Sequence, residues 1–232
     1  MTGKAAPSFI GTGSPDLDLV PDELRNILEQ ALLRVASDAR VLAIIPDKTR
    51  DDNTDVLFPF AAEILATRNI AQFDALVAQG THMPMTEAEK VSKIGLTNGK
   101  SAPGLGQVYD HRWNVPEELV TIGELSAERV RELTGGLLDN AIPVNLNRLL
   151  SPGIYDTVLI FSATVPHEVA GFAGGAKYFF PGVAGPDLTR RLGRLSIGLD
   201  SAQFTRLCGE RTRLEESSGP EPLVHSYSRH NP

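Results

Sequence analysis

The stretch YDTVLIFSATV, residues 155–165, has the clearest strand pattern in the chain. It is apolar and rich in β-branched residues, as expected of a strand that is buried on both faces of a sheet. Two earlier runs have the same character: VLAIIP at 41–46 and FDALVAQG at 73–80. Because helical patterns lie between and before them, we predict an α/β fold with a largely parallel sheet and helices on both faces, a Rossmann-like arrangement.

Two helix starts can be predicted from the sequence. An apolar stripe with helical spacing follows Pro21, a residue that suits the first turn of a helix. Thr86 and Glu89 have the spacing of a capping box, which predicts that a helix begins there. A third helix is predicted over 56–68. The stripe comprises Leu24, Ile27, Leu28, Ala31, Leu32 and Val35.

Each predicted strand ends in a polar cluster. DKTR follows the first strand at 47–50, Thr81 and His82 follow the second, and the third leads into PHEVAGFAGGAKYFFPGVAG at 166–185. Parallel sheets bind ligands at the carboxyl ends of their strands, so these clusters are predicted to converge at one edge. This convergence predicts a binding or catalytic site.

The glycine-rich segment places His167 ten positions before Lys177. Glycines between a strand and a helix allow close approach to a phosphate, and a lysine among small residues is suited to covalent chemistry. The segment is neither a Walker loop nor a G-x-G-x-x-G fingerprint. A tight turn with a surface lysine remains an equal alternative on spacing alone.

The remaining polar residues allow both functional and structural interpretations. His82 and His167 could exchange protons with two faces of a substrate, or they could be solvated loop residues. Arg50 could bind a carboxylate or phosphate, or form a surface ion pair with a neighbouring aspartate. His111 and Trp113 have no spacing that distinguishes a site from a half-buried turn.

The composition excludes several classes of function. The formal charge of −7 argues against nucleic acid or an anionic membrane as the main partner. No apolar run approaches the roughly 20 residues that a membrane span requires. With Cys208 as the single cysteine, neither an internal disulfide nor a zinc site is expected, and the predicted location is the cytoplasm.

The motifs together resemble the nickel-dependent lactate racemase family. The matching segments are DKTR (47–50), GTHMPMT (80–86) and VPHEVAGFAGGAKYFFPGVAG (165–185), and the resemblance covers roughly residues 15–188. In that family a lysine carries a covalently attached nickel pincer nucleotide, a mononucleotide derived from nicotinic acid that bears sulfur donors. The resemblance implies racemisation or epimerisation of a 2-hydroxy acid by hydride transfer.

The resemblance also implies roles for individual residues. Lys177 would be the attachment point, His82 and His167 would be the acid/base pair, and Arg50 would bind the substrate. No residue of this chain is assigned to the metal. The other residues that would contact the cofactor are Asp47, Thr49, Gly174 and Gly175.

The chain also departs from the family pattern. Met83 stands where the family has an arginine, and RRLGRLS stands where the family has a nickel-binding histidine about sixteen residues after the lysine. The pattern is lost after about residue 187, which predicts a truncated or frameshifted gene without the family's second domain. On that basis we expect little racemase activity from this chain alone and a tendency to self-associate through the surface that the second domain would cover.

The predicted organisation has three parts: an irregular segment at 1–19, an α/β cofactor-binding domain at 20–188, and an arginine-rich, poorly ordered tail at 189–232. Two other functions stay open. The chain could be an inactive or residual nucleotide-binding domain, or a module that binds a phosphate-bearing ligand without covalent chemistry.

Overall fold

The computed structural model describes residues 10–11, 17–167, 171–186 and 222–227. The described helices are α1 (Pro21–Leu32), α2 (Thr54–Thr67), α3 (Glu87–Lys93) and α4 (Ala127–Leu133). The described strands are β1 (Arg40–Pro46), β2 (Gln72–Ala78), β3 (Leu105–Asp110), β4 (Leu119–Leu125), β5 (Ile142–Asn147), β6 (Thr157–Ala163), β7 (Val165–His167), β8 (Gly171–Ala173) and β9 (Pro222–Tyr227). Short 3-10 turns lie at Pro116–Glu118, Arg148–Leu150 and Gly175–Tyr178.

The central sheet of the described residues has the order β3-β2-β1-β6-β9, and all its neighbouring strands pair in parallel. The predicted α/β fold with a parallel sheet is therefore confirmed, and β1, β2 and β6 are the three strands expected from the sequence. The chain moves outward from β1 through β2 to β3 and then returns to the other side of β1 at β6. The order thus reverses between β1 and β6, where α/β proteins commonly bind ligands.

Alternate residues of the central strands face two separate apolar cores. Leu42 and Ile44 of β1 belong to the core that packs against α4 and the β4–β5 hairpin. Ala43 and Ile45 belong to the core formed with α1 and α2. Because the residues of both sets are fully buried, β1 reads in the sequence as one continuous apolar run.

The helix predictions agree with the structure. The α1 helix begins at Pro21, and its buried residues come from the predicted apolar stripe. The Thr86 hydroxyl accepts a hydrogen bond from the backbone N–H of Glu89, whose carboxylate accepts one from the N–H of Thr86. The capping box therefore starts α3 as predicted. No helix among the described residues is long and apolar enough to cross a membrane.

The C-terminal part of the chain is described only in part. Residues 222–227 form β9, which pairs with β6 at the edge of the sheet. The predicted poor order of the rest of the tail, at 189–221 and 228–232, and most of the predicted irregular segment at 1–19 lie outside the described residues. The division into three parts stays a prediction.

Candidate active site

A cleft of about 160 Å³ opens at the carboxyl edge of the sheet, between the ends of β1, β2 and β6. It lies where the strand order reverses, as expected for a ligand site in an α/β protein. Three groups of residues line it: Asp47, Arg50 and Asp51 after β1; Ala78, Gln79, Gly80, Thr81 and His82 at the end of β2; and Ala163, Val165, Gly174, Lys177, Tyr178, Pro181 and Gly182 after β6. The polar clusters that follow the three predicted strands therefore line one cleft.

Asp47 and His82 form a hydrogen-bonded pair in this cleft. Nδ1 of His82 lies 2.5 Å from Oδ2 of Asp47, whose side chain is 4% exposed, whereas the imidazole is 51% exposed. The other carboxylate oxygen of Asp47 accepts hydrogen bonds from the hydroxyl and the backbone N–H of Thr49, at 2.6 and 3.0 Å. The ionised carboxylate favours a proton on Nδ1 of His82, so Nε2 of the neutral ring is left as a proton acceptor.

The hydrogen bonds decide the charge of Asp47. Burial of the carboxyl group raises its pKa, but the hydrogen bonds from Thr49 and His82 outweigh burial, and the pKa lies below its usual value. Asp47 is therefore a carboxylate at neutral pH and can hold the imidazole in a fixed orientation.

Arg50 lies in the same loop as Asp47. Its backbone N–H donates to the carbonyl oxygen of Asp47 at 3.2 Å, which closes a turn at the end of β1. Arg50 is exposed and lines the cleft, so its guanidinium is available to an anionic ligand. The sequence predicted its place at the strand end, and its role in binding stays a prediction.

Lys177 lies in the 3-10 turn at Gly175–Tyr178. Its backbone N–H donates to the carbonyl oxygen of Gly174 at 3.1 Å, and its own carbonyl oxygen accepts from Gly182 at 3.2 Å. The carbonyl oxygen of Gly182 in turn accepts from the N–H of Gly80 at 2.8 Å. These bonds join the lysine segment to the loop that carries His82.

Gly174 and Gly175 are required by the protein's own packing. Gly174 has a φ of +120°, and a Cβ there would lie 2.5 Å from the carbonyl oxygen of Ala163 and 2.8 Å from the hydroxyl oxygen of Thr164. Gly175 has a φ of +53°, and its N–H donates to the Ser162 hydroxyl at 3.2 Å. The glycines therefore allow the loop to turn back against the end of β6, and contact with a cofactor stays a separate prediction.

His167 and His111 have different positions in the structure. The backbone of His167 lies in β7, where it pairs with Gly171, and the position of its side chain lies outside the described part of the structure. His111 is fully buried, accepts a hydrogen bond from the Asn147 amide and donates one to the carbonyl oxygen of Ala184 at 2.9 Å. Burial lowers the pKa of His111, so it is a neutral structural group.

Gln79 and Tyr178 line the cleft but were not singled out in the sequence. The Gln79 amide nitrogen donates to the backbone oxygen of His111 at 3.2 Å, while its buried Oε1 has no partner among the described residues. Burial, followed by the negative charges of Asp52 and Asp47, raises the pKa of Tyr178, so its hydroxyl stays protonated. In the sequence Gln79 directly precedes Gly80, and Tyr178 directly follows Lys177. This adjacency to predicted site segments is the signal that could have indicated both residues.

The cleft offers groups that suit an anionic ligand with hydrogen-bonding substituents. Lys177 and Arg50 offer positive charge in the cleft, and the unpaired Oε1 of Gln79 can accept a hydrogen bond from a ligand hydroxyl or N–H. No group of three or more His, Cys, Asp or Glu side chains that could hold a metal ion is found in the part of the chain that the structure describes.

The fold and the cleft define an α/β protein of the Rossmann-like class with a ligand site at the reversal point of its strand order. A family model described as the lactate racemase N-terminal domain matches residues 17–197, and the chain belongs to that family. The resemblance noted in the sequence is thereby confirmed.

Two solved structures share the fold. The crystal structure of a protein from Thermotoga maritima superposes with a TM-score of 0.78 at 25% identity, and the match covers 91% of this chain and 52% of that one. The lactate racemase apoprotein from Thermoanaerobacterium thermosaccharolyticum gives a TM-score of 0.61 at 18% identity, covering 93% and 55% of the two chains. The chain thus spans about half the length of these proteins. No curated protein is detectably similar to it in sequence.

Proposed function

We propose that this chain provides the cofactor- and substrate-binding wall of a 2-hydroxy-acid racemase or epimerase. In this proposal Lys177 carries a nickel pincer nucleotide covalently, and Asp47, Thr49, Gly174 and Gly175 surround it. The observation that supports it best is that Lys177, Arg50 and the Asp47–His82 pair line one cleft in a member of the lactate racemase family. When bound, the nickel cofactor would supply the hydride acceptor.

The chain's own residues then have defined tasks. Arg50 binds the substrate carboxylate, since its guanidinium can form two parallel hydrogen bonds to a carboxylate. Nε2 of His82 takes the proton of the substrate 2-hydroxyl group, because the Asp47 carboxylate holds the proton of the ring on Nδ1. Asp47 also stabilises the imidazolium that forms.

The opposite face of the substrate needs a second proton-transfer group. We assign this role to His167, which lies two residues after the cleft-lining Val165. A histidine on each face allows either enantiomer to lose and regain its hydroxyl proton, as racemisation requires.

Covalent attachment is tested first, by intact mass. The purified chain is incubated with the mature cofactor, denatured and compared with the Lys177→Arg and Lys48→Arg variants. We expect a stable mass increase in the wild type and in Lys48→Arg, which retains Lys177, and none in Lys177→Arg. A mass increase in all three proteins would show that Lys177 is not the attachment point.

Turnover is tested separately because this chain spans only about half the length of the matched structures. The chain is fused after residue 187 to the remaining part of a matched relative, and racemisation of L-lactate is followed by chiral chromatography. His82→Ala should keep the mass increase and lose about 10²–10⁴-fold in rate. Reversible binding of nicotinic acid mononucleotide, without a mass increase or turnover, would instead favour the phosphate-ligand-binding module.

A further inference from the structure

The loop between β1 and α2, residues 47–53, is anchored to α3 by a lysine whose side chain is largely buried. Nζ of Lys93 donates to the backbone oxygen of Arg50 at 2.7 Å and to Oδ2 of Asp52 at 2.7 Å. The Lys93 side chain is 10% exposed and that of Asp52 is 2% exposed. One ammonium group therefore connects a neighbouring helix to the backbone of the cleft arginine.

We propose that Lys93 is a positioning residue for Arg50, which fixes the loop so that the guanidinium meets the ligand in the cleft. The inference rests on the proposed function, in which Arg50 binds the substrate carboxylate. A hydrogen bond to the carbonyl oxygen of Arg50 restrains the peptide plane that follows this residue. It thereby restrains the direction in which the side chain leaves the backbone.

The surroundings of Lys93 make it a firm anchor. Gly95, with a φ of +72°, lets the chain after α3 come into close contact with the backbone of Asp55 in the first turn of α2. Glu89 of α3 also binds Lys48 of the loop, at 2.6 Å. The loop is thus tied to α3 at two places, and α3 is packed against the helix that follows the loop.

Asp52 links Lys93 to the start of α2. Its Oδ1 accepts a hydrogen bond from the backbone N–H of Thr54 at 2.8 Å, near the start of α2, while Oδ2 binds Lys93. A buried carboxylate without its cation would be strongly destabilising. Replacing Lys93 alone would therefore combine a loss of positioning with a loss of stability, and the two effects have to be separated.

Lys90, one helical turn earlier in α3, provides a matched control. Its ammonium is also buried, with a side chain that is 7% exposed, and it binds the Asp110 carboxylate at 2.7 Å and the backbone oxygen of Val108 at 3.3 Å. It contacts Glu87 in α3 and residues of β3, all outside the loop at 47–53. Lys90 and Lys93 therefore share chemistry and burial, but they anchor different segments.

Two double variants remove each pair without leaving a buried charge. The test variant is Lys93→Met with Asp52→Asn, in which the amide oxygen can still accept from Thr54. The control variant is Lys90→Met with Asp110→Asn. The readouts are the NMR order parameter of the Arg50 Nε–Hε group and the dissociation constant for L-lactate, each measured on the full chain after stability has been determined by urea unfolding.

The positioning role predicts a difference between the two variants. In the Lys93 variant the Arg50 order parameter should fall, and the lactate dissociation constant should rise by about tenfold, comparable with the loss of one charge-assisted hydrogen bond. Both quantities should stay at wild-type values in the Lys90 variant, although its stability falls. The single variant Lys93→Arg should keep the lactate affinity of the wild type, since the guanidinium N–H groups can reach both the backbone oxygen of Arg50 and Oδ2 of Asp52.

Equal order parameters and equal lactate affinities in the two double variants would overturn the proposal and leave Lys93 as a stabilising ion pair. If the wild-type chain does not bind lactate, Arg50 does not bind this 2-hydroxy acid in the chain as it stands. The order parameter of Arg50 then decides the positioning role by itself, so the two failures are distinguishable.

Discussion

Asp47 shows how one residue links the fold of the strand to the chemistry of the cleft. It is the first residue after β1, and its carboxylate is surrounded by donors from Thr49 and His82. The pairing of Pro46 with Ala78 puts the ends of β1 and β2 side by side, which brings the residues that follow within reach of each other. The contact between Asp47 and His82 is thus a consequence of strand register.

Asp47→Asn should leave the cleft in place and impair proton transfer. An asparagine cannot hold the proton of the ring on Nδ1 as a carboxylate does, so the population of the reactive tautomer falls. We expect a loss of about 10²–10⁴-fold in racemisation by the fused protein, with cofactor attachment unchanged. The tautomer of His82 is measured by ¹⁵N NMR and the rate by chiral chromatography, with the exposed Asp139→Asn as the control. An unchanged tautomer and rate would show that Asp47 does not orient the imidazole.

Gly174→Ala tests the packing of the lysine segment. The added Cβ would lie 2.5 Å from the carbonyl oxygen of Ala163, in addition to the strain of a φ of +120°. We expect unfolding free energy to fall by about 2 kcal/mol or more, since steric clash adds to backbone strain. Gly153→Ala also has a positive φ, +84°, but nothing lies within 4 Å of its Cβ, so it measures backbone strain alone. Similar urea midpoints for the two variants would contradict the clash.

The elements differ in how well the sequence predicts them. The strands β1, β2 and β6 are continuous apolar runs because both of their faces are buried, and the Thr86 cap marks the start of α3. The β3 and β4 strands escape prediction because their residues are largely half-exposed or exposed, without regular alternation. The convergence of polar clusters follows from parallel topology, whereas the Lys93 anchor depends on side-chain packing between helices and loops.

His111 connects three parts of the fold, and its replacement should lower the free energy of unfolding. It connects the end of β3 to Asn147 at the end of β5 and to Ala184 after the lysine segment. His111→Ala leaves the Asn147 amide and the Ala184 carbonyl without this partner and opens a cavity. We expect a loss of about 2–4 kcal/mol in unfolding free energy.

The same residue predicts a pH dependence. Burial lowers the pKa of His111 below its usual value of 6.5, so the unfolded chain binds the proton more readily than the folded one. The stabilisation is complete above about pH 6.5 and is lost as the pH falls through the lower folded-state pKa. Urea unfolding between pH 7.5 and about pH 5, a span that crosses the usual imidazole pKa of 6.5, should show a steeper decline for the wild type than for His111→Ala. Parallel declines would show that His111 does not titrate on unfolding.

On the scale of the whole molecule, one sheet separates two cores, and each core depends on the same strands. Ile44 belongs to the core on the side of α4, and Ile45, the next residue along β1, belongs to the core on the side of α1 and α2. Both side chains are fully buried. The same strands cover both cores, so unfolding of the sheet on one side would expose the apolar residues on the other side. We therefore expect the described α/β unit to unfold in one cooperative step.

Ile44→Val and Ile45→Val test this coupling with a single methyl deletion on each side of the sheet. Each variant should lower the unfolding free energy by about 1 kcal/mol, the usual cost of this change in a packed core. Urea unfolding is followed by Trp113 fluorescence and by far-UV circular dichroism, and both probes should shift together in both variants. Leu137→Val, at a position that is 56% exposed, should change the free energy by less than about 0.5 kcal/mol. If Ile45→Val lowered the circular dichroism midpoint while the fluorescence midpoint stayed unchanged, the core on the side of α1 and α2 would unfold independently of the core on the side of α4.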